Sequence, residues 1–302
     1  MKNVLVTGAS GLIGSCLVEK LRACGRYNVI AGTREWCDVT KPIQGDTTYH
    51  YIIHAASNAA PKAFAETPVE VMKSNLLGVM NLLDYGKTHG LERFVMVSSG
   101  EVYGEGDGRV FDEAYQGFVD ITSARSCYPS SKRAAETLCA AYAKEYGIDY
   151  VTARPCHVYG PNFTAKDNRV YAQFIGNVID GEDIVMKSTG SQMRSWCYVE
   201  DCADALILIM EKGISGEAYN IADARGNITI KELAEMIADI GGRKVVMQLP
   251  SDAEKSGYNV VTQSIFSTAK LESLGWKISG SMREKMEKTI AAARLNKERN
   301  KQ

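Results

Sequence analysis

The stretch VLVTGASGLIG, residues 4–14, decides the fold of this chain. Its apolar opening predicts a short buried strand, and the apolar residues that recur every three or four positions after it predict an amphipathic helix. Gly8, Gly11 and Gly14 lie between and within these two elements, three positions apart. A strand, a glycine-rich turn and a helix in this order open a nucleotide-binding βαβ unit.

The glycines let the backbone approach a pyrophosphate closely, and the first amides of the helix then face its negative charge. A turn with a purely structural role is the alternative. The residues that we expect to contact the dinucleotide here are Gly8, Ser10, Gly11, Leu12 and Ile13.

Strands and helices alternate through about residue 155, which predicts an α/β fold with a Rossmann-type, doubly wound parallel sheet. Strands are predicted near residues 3–7, 28–32, 51–54, 93–97 and 149–153, with helices near 12–24, 69–87 and 127–146. Further helices are predicted near 169–180, 200–212, 230–240 and 281–296. We predict a dinucleotide-binding domain at 1–155, rejoined by about 195–222, and mainly a smaller C-terminal substrate-binding lobe at 156–302.

An apolar stripe runs along the helix predicted from residue 69. Met72, Leu76, Val79 and Leu83 follow one another at steps of three and four residues. Residues at this spacing share one face of a helix, so core packing explains the stripe.

Tyr128 and Lys132 lie four positions apart in SCYPSSK, residues 126–132. On a helix, this spacing places the phenol one turn from the ammonium group. The positive charge is expected to stabilise the phenolate and to lower the pKa of the tyrosine. Such a tyrosine can take a proton from a hydroxyl group near neutral pH, and it is therefore a candidate general base.

The segment SSGEVYG, residues 98–104, follows an apolar strand. Ligands of open α/β sheets bind beyond the carboxyl ends of the strands, so Ser99 and Glu101 are expected where chemistry occurs. The Ser99 hydroxyl can bind the same oxygen that Tyr128 deprotonates. A polar strand-end turn without a catalytic role is the alternative.

With these three segments, the chain resembles the extended short-chain dehydrogenase/reductase superfamily of nucleotide-sugar epimerases, dehydratases and decarboxylases. The resemblance extends to ARPCHVYGP at 153–161 and RSWCYVED at 194–201. It implies that further dinucleotide contacts come from Asp38, Val39, Ala55, Ala56, Ser57, Asn75, Tyr128, Lys132 and Pro155. It also implies a homodimer and a nucleotide-diphosphate sugar as the substrate.

Cofactor choice depends on the end of the second strand, where NAD-binding proteins commonly place an acidic residue. This chain has Thr33 there, followed by Arg34. A hydroxyl and a guanidinium suit a 2′-phosphate, which favours NADP over NAD. The alternative is that Arg34 is an ordinary surface charge.

The resemblance implies that Tyr128, with Lys132 and Ser99, oxidises the sugar at C4 and that the 4-ketone is then epimerised, dehydrated or decarboxylated. In 4,6-dehydratases an acid stands at the position of Gly100, so ordinary dehydration is in doubt here. ARSCY, residues 124–128, looks particularly like the UDP-glucuronate decarboxylases, which also keep a glutamate at the position of Glu101. An NADPH-dependent ketone reductase and a non-catalytic dinucleotide sensor are the alternatives.

The remaining candidates are substrate-binding residues. The resemblance implies that Arg194 reaches the substrate diphosphate, unless it pairs with Glu200 or Asp201. His157 is expected to be a pocket or core residue rather than an acid catalyst, and His54 a structural one. The residues predicted to line the substrate pocket are Ser99, Gly100, Glu101, His157, Asn162, Arg169, Gln173 and Arg194.

Composition agrees with a soluble enzyme of 302 residues that is 45% hydrophobic. The net charge of -1 gives no reason to expect nucleic acid or an anionic membrane as a partner. No signal peptide or membrane span is predicted. The eight cysteines are scattered, so we expect neither a disulfide framework nor a metal site, and we expect a cytoplasmic protein.

Overall fold

The computed structural model of the chain describes residues 1–163, 167–248 and 263–299. Its strands are β1 (Lys2–Thr7), β2 (Tyr27–Gly32), β3 (Tyr51–His54), β4 (Arg93–Val97), β5 (Tyr150–Pro155), β6 (His157–Tyr159), β7 (Ile184–Met186), β8 (Met193–Tyr198), β9 (Ala218–Ile221), β10 (Asp223–Thr229), β11 (Val245–Met247) and β12 (Gln263–Ser264). Its helices are α1 (Leu12–Ala23), α2 (Pro61–Glu66), α3 (Pro68–Gly86), α4 (Cys127–Tyr146), α5 (Val170–Asp180), α6 (Val199–Lys212), α7 (Ile230–Gly241), α8 (Ala269–Ser273) and α9 (Met282–Arg299). Among the described residues, no helix has both the length and the apolar character that crossing a membrane requires.

The central sheet is parallel and has the strand order β2-β1-β3-β4-β5-β9. The chain first moves outward from β1 to β2 and then returns across β1 to β3. The direction of winding therefore reverses beside β1, and such a switch point is where open α/β sheets bind ligands. The predicted Rossmann-type fold is confirmed, and the predicted elements are present.

Both faces of the sheet are covered by helices. Val4 and Val6 pack in one core with α1 and α6, whereas Leu5 packs in another with α3 and α4. Alternate residues of a strand point to opposite faces, so β1 contributes to both cores. A strand covered on two faces is apolar throughout, which explains its continuous apolar run.

The later part of the chain forms two smaller sheets. Strands β6, β8, β10 and β12 make one of them, and β7 pairs with β11 in the other. Helices α5, α7 and α9 pack together beside them. The segment 195–222 contains most of β8, which belongs to the small sheet, and all of β9, which lies beside β5 in the central sheet. The division into a dinucleotide-binding domain and a substrate lobe stays a prediction.

The apolar stripe on α3 is only partly in the core. Val79 and Leu83 are fully buried, but Met72 is 38% exposed. Core packing is therefore the wrong explanation for Met72, because its position on α3 faces solvent. Leu76 lines an apolar surface groove between α3 and α4, together with Met80 and Leu138, with Ala134, Thr137 and Ala141 completing the lining.

Candidate active site

The glycine turn after β1 is a cradle lined by backbone. A Cβ atom on Gly8 would lie 2.7 Å from the Ala56 backbone nitrogen, and one on Gly14 would lie 2.1 Å from the Gly8 carbonyl oxygen. Gly8 also has a positive φ of 69°, which favours glycine. Among the described residues, no side chain caps α1 at Gly11, so its first amides are open to an anion. These features fit the pyrophosphate of a dinucleotide, next to the predicted contacts Ser10, Leu12 and Ile13.

The predicted adenine side follows β2. Arg34 is exposed and Thr33 is half-buried, so both are accessible from solvent. Asp38 accepts hydrogen bonds from the Thr40 hydroxyl (2.7 Å) and backbone amide (3.1 Å), and these bonds lower its pKa. Val39 is buried in the core under α3. Asp38 thus stays ionised as an acceptor, although Thr40 already uses one of its oxygens.

The end of β3 is tied to both α3 and α4. The Ser57 hydroxyl donates to the Asn75 side-chain oxygen (2.7 Å), and the Asn75 amide donates to the Ser131 hydroxyl (2.8 Å). Ser131 in turn donates to the Tyr128 carbonyl oxygen (3.0 Å). This chain of bonds connects three predicted dinucleotide contacts, and it fixes the first turn of α4 relative to β3. Ala55 and Ala56 form the backbone just before it.

His54 is structural, as predicted. Its Nδ1 atom lies 2.8 Å from the Thr7 hydroxyl oxygen, across the β1–β3 pair. Complete burial, followed by the charge of Lys132, lowers its pKa to about 3. The imidazole is therefore neutral at physiological pH, and it links two strand ends beneath the site.

Tyr128 and Lys132 lie on the first turns of α4, as the spacing predicts. Both side chains are buried, and the Lys132 ammonium lies 5.8 Å from the centroid of the Tyr128 ring. Lys132 donates to the carbonyl oxygen of Val97 (2.8 Å), the last residue of β4. The Ser99 hydroxyl acts on the Tyr128 phenol in the direction that favours its anion and lowers its pKa, against the effect of burial. Ser99, Tyr128 and Lys132 are thus assembled at the end of β4.

The predicted effect on the tyrosine pKa is wrong for the protein alone. Burial raises the pKa of Tyr128, and the negative charge of Glu101 adds to this rise. Burial also lowers the pKa of Lys132, to about 8. Helical spacing predicts which groups are close, but it does not predict how strongly burial disfavours both charges.

Glu101 has a partner that the sequence reasoning did not identify. Arg125 Nη1 and Nη2 donate to the two Glu101 carboxylate oxygens, over 3.2 and 3.3 Å. The same guanidinium lies 4.7 Å from the centroid of the Phe64 ring, which stacks on Tyr128 with its centroid also 4.7 Å away. The only sequence signal for Arg125 was its place in the decarboxylase-like stretch 124–128.

Gly100 is packed against a residue from the C-terminal part of the chain. A Cβ atom at this position would lie 2.3 Å from Cζ of Phe266, a distance that no real contact allows. Phe266 is buried, and its ring packs against those of Tyr103 and Phe111. The space that an acidic side chain at position 100 would need is therefore filled by Phe266.

Two partly buried charged residues, Glu136 and Arg154, support the end of β4. Glu136, one turn after Lys132, accepts from the Ser98 hydroxyl (2.5 Å) and binds Arg154 through two hydrogen bonds (2.7 and 3.1 Å). Arg154 also donates to the Tyr103 hydroxyl (3.0 Å). Sequence reasoning missed Glu136, although its position on the face of α4 shared with Lys132 was a usable signal.

The predicted substrate residues occupy different positions. His157 is exposed to solvent and its ring centroid lies 5.2 Å from that of Trp196, on the neighbouring strand. The protein around its imidazole, and then the Arg194 cation, lower the pKa of His157 to about 4. Pro155, predicted as a dinucleotide contact, ends β5 and is buried, while Asn162, predicted to line the substrate pocket, is exposed. His157 is therefore neutral at physiological pH.

Arg194 is buried, and its charge interacts favourably with that of Glu101. Of the two acids considered as its partners, Asp201 binds Lys285 (2.6 Å) and Glu200 accepts from the Tyr198 hydroxyl (3.3 Å). Both acids thus bind other residues. The Arg194 guanidinium donates to the Met193 carbonyl oxygen (2.9 Å), which helps to orient it.

Arg169 precedes α5 and forms an ion pair with Asp167, and it also donates to the Tyr171 hydroxyl (3.0 Å). Its positive charge also acts on the phenol of Tyr128. Gln173 is exposed and donates to the Asn168 carbonyl oxygen (2.7 Å), so it binds its own segment.

Comparison with known proteins assigns the chain to a family. The model of the NAD dependent epimerase/dehydratase family matches residues 4–222, which contain the glycine turn, the β4 turn and the Tyr128 helix. The chain belongs to this family. Membership confirms the predicted class, an NAD(P)-dependent enzyme that modifies nucleotide sugars, and the reductase and sensor alternatives are not favoured.

Relatives of this family member include several with known activities or structures. It is 34% identical to UDP-glucuronic acid decarboxylase 3 of Arabidopsis thaliana over 307 residues, covering 93% of this chain and 86% of the relative. The UDP-glucose 4-epimerase of Thermotoga maritima, solved with UDP-glucose, is 26% identical with a TM-score of 0.83, covering 97% of this chain and 99% of that one. The protein RMD of Pseudomonas aeruginosa, complexed with NADPH, is 25% identical with a TM-score of 0.83, covering 98% and 100%.

Proposed function

We propose that this enzyme decarboxylates a UDP-linked hexuronate through a 4-keto intermediate. The observation that carries the proposal is the charge around Glu101, beside Tyr128. Arg125 binds this carboxylate directly and Arg194 attracts it from within the protein. The Arg125 guanidinium compensates the charge of Glu101 and, with its side chain 48% exposed, retains donors for a sugar carboxylate. The decarboxylase relative, at 34% identity over 93% of the chain, supports the same reaction.

In this proposal Tyr128 is the general base for the C4 hydroxyl, Ser99 binds the same oxygen, and Lys132 supplies a positive charge beside them. A bound nicotinamide dinucleotide supplies the hydride acceptor for C4 and later the donor. Once C4 is a ketone, the bond between C5 and the carboxylate breaks, and carbon dioxide leaves. The electron pair of the broken bond remains on the sugar as an enolate with the C4 ketone, and C5 then gains a proton. Tyr128 then returns its proton to O4 as C4 is reduced.

The other proposed roles concern binding. We assign Arg194 to the substrate diphosphate, because a guanidinium offers several directed donors to phosphate oxygens. Asn162, Arg169 and His157 lie on the segments that follow β5, and we assign them to the substrate pocket. The 1–155 segment would hold the dinucleotide, and most of 156–302 the sugar nucleotide.

Gly100 argues against 4,6-dehydration as the outcome. Elimination of water needs a proton donor at the leaving hydroxyl, and glycine has none. Because Phe266 fills the neighbouring space, a water molecule cannot replace the missing acid at that point. Loss of the carboxylate needs no such donor, since carbon dioxide leaves as a neutral molecule.

We propose NADP as the preferred dinucleotide. Arg34 is exposed directly after Thr33, at the end of β2, so its guanidinium is accessible to a 2′-phosphate. Similar proteins were solved with either dinucleotide, RMD with NADPH and the UDP-glucose 4-epimerase of Thermus thermophilus with NAD, so Arg34 alone carries the preference.

A homodimer formed through α3 and α4 completes the proposal. Met72 and Met80 are each 38% exposed on α3, and Leu138 lies across the groove on α4. An apolar surface of this kind is stabilised when a second copy covers it. Light scattering should give the mass of a dimer, and Met80→Glu should give a monomer. A monomeric wild-type protein would overturn this part.

All eight cysteines are free thiols, and six of them are buried. Free thiols persist in reducing compartments. They support a cytoplasmic location, which fractionation of cells would test.

The reaction is tested by incubating the purified protein with UDP-glucuronate and catalytic NADP or NAD in deuterated water. Loss of carbon dioxide with one deuterium gained at C5 supports decarboxylation. A product of unchanged composition would indicate 4-epimerisation, and loss of water would indicate dehydration; either would contradict the proposal. Tyr128→Phe should abolish turnover while leaving dinucleotide binding intact, because it removes only the proton acceptor.

A further inference from the structure

The Arg125 side chain is held in place by contacts with Glu101 and Phe64. It lies in a short turn, Ala124–Ser126, where its backbone amide donates to the Ser123 hydroxyl (3.3 Å). Its guanidinium binds both oxygens of Glu101 and also covers the Phe64 ring. A guanidinium that makes two parallel bonds and a ring contact has a defined orientation.

The Phe64 ring connects this guanidinium to the Tyr128 ring. The guanidinium lies 4.7 Å from the Phe64 centroid, and the Phe64 ring stacks on that of Tyr128 with an inclination of only 21°. Glu101 is anchored at its other end, because its backbone amide donates to the Ser99 hydroxyl (3.2 Å). Arg125 therefore contacts both the carboxylate two positions after Ser99 and the ring that stacks on Tyr128.

The charges explain what this arrangement achieves. Glu101 raises the pKa of Tyr128, so its negative charge reaches the phenol. A sugar that carries a carboxylate would bring a second negative charge into the same space. Two negative charges this close repel each other, and a cation between or beside them offsets that repulsion. The Arg125 side chain is 48% exposed, so it retains donors for an incoming carboxylate while it binds Glu101.

We propose that Arg125 determines substrate specificity: it positions and neutralises Glu101, so that the site accepts a sugar with a carboxylate at C5 in preference to a neutral one. The inference rests on the proposed function, which it deepens by assigning the recognition of the uronate to one side chain. Removal of Arg125 takes away the direct partner of Glu101 and leaves its charge less compensated, which penalises an anionic sugar and leaves a neutral sugar largely unaffected.

The experiment measures equilibrium binding of UDP-glucuronate and UDP-glucose by calorimetry, in the Tyr128→Phe background so that no turnover occurs. The preference is the ratio of the two dissociation constants. Arg125→Gln should reduce this preference by about tenfold or more, the size of one lost charge-assisted pair. Adding Glu101→Gln should restore much of it, because the unpaired negative charge is then absent.

A matched control is Arg283→Gln, which removes another half-exposed arginine from an ion pair, with Asp239, away from the site. It should leave the preference unchanged. Arg125→Lys keeps the charge but loses the two-donor geometry, so it should retain an intermediate preference; it also serves if Arg125→Gln does not fold. NADP binding and the melting temperature report on folding of every variant.

The inference would be overturned if Arg125→Gln weakened the binding of UDP-glucuronate and UDP-glucose equally, or if it changed neither dissociation constant. So would an unchanged preference after Glu101→Gln is added. The inference also fails if the enzyme without these changes shows no preference for UDP-glucuronate. That result is separate from failure of the proposed reaction, because release of carbon dioxide is measured independently of the binding ratio.

Discussion

Gly100→Ala introduces a single methyl group at the point where the β4 turn meets Phe266. The added Cβ would lie 2.3 Å from Cζ and 2.5 Å from Cε1 of that ring. The ring cannot move aside freely, because it is buried between Tyr103 and Phe111 with both centroids 5.6 Å away. Overpacking of a filled core costs about 1–3 kcal/mol, and we expect the upper half of that range.

Phe266→Ala removes the obstacle and leaves a cavity, which alone costs about 3–5 kcal/mol. In that background the extra methyl group has space, so Gly100→Ala should cost less than about 0.5 kcal/mol. The expected coupling between the two changes is therefore about 2 kcal/mol, well above the additivity expected of independent sites. Denaturant unfolding of the four proteins of the cycle measures it.

Gly176→Ala is the matched control, because this glycine lies within α5 and a Cβ there would meet nothing within 4 Å. It should be neutral, or stabilising by up to about 1 kcal/mol through helix propensity. Gly100→Ala should also reduce turnover, since Ser99 and Glu101 flank the displaced residue. Equal costs of Gly100→Ala with and without Phe266 would refute the reasoning.

Three other changes test separate parts of the structure. Arg34→Ala should weaken NADP binding by about tenfold and NAD binding little, because only NADP carries the 2′-phosphate; equal effects in titrations would exclude that role. Lys285→Met should cost about 3–5 kcal/mol by leaving buried Asp201 unpaired, and adding Asp201→Asn should recover most of it. His54 has a pKa of about 3 when folded, against an unfolded value near 6.5. Below pH 6.5 the unfolded chain therefore binds more protons than the folded one, and the stability that neutral His54 contributes is lost as the pH falls. The free energy of unfolding should decrease between pH 7 and 5, and His54→Asn should make that decrease smaller by about 2 kcal/mol.

The sequence predicted the features that depend on local pattern. The glycine turn at Gly8, the strand before it and the helix after it follow from residues next to one another. The pairing of Tyr128 with Lys132 follows from helical spacing. In each case the interaction is made within one element or across one turn, so short-range periodicity was sufficient.

The missed features depend on contacts between distant parts of the chain. The Arg125–Glu101 pair joins the turn before α4 to the turn after β4, and Phe266 reaches Gly100 from beyond β12. Neither has a spacing that a sequence pattern could show. The direction of the Tyr128 pKa was also wrong, because burial depends on the whole fold around α4.

The position of Phe266 has a consequence for synthesis of the protein. Around it, Phe111 exchanges backbone hydrogen bonds with Ile265 and Ser267, and Asn220 donates to the Ser267 carbonyl oxygen (3.1 Å). The wall behind Gly100 is thus made by residues that a ribosome adds late. The glycine turn and the early strands can pair while translation continues, but the turn that holds Ser99 and Glu101 acquires its backing only afterwards. A nascent chain that is stalled before residue 263 should consequently bind the dinucleotide but show no turnover.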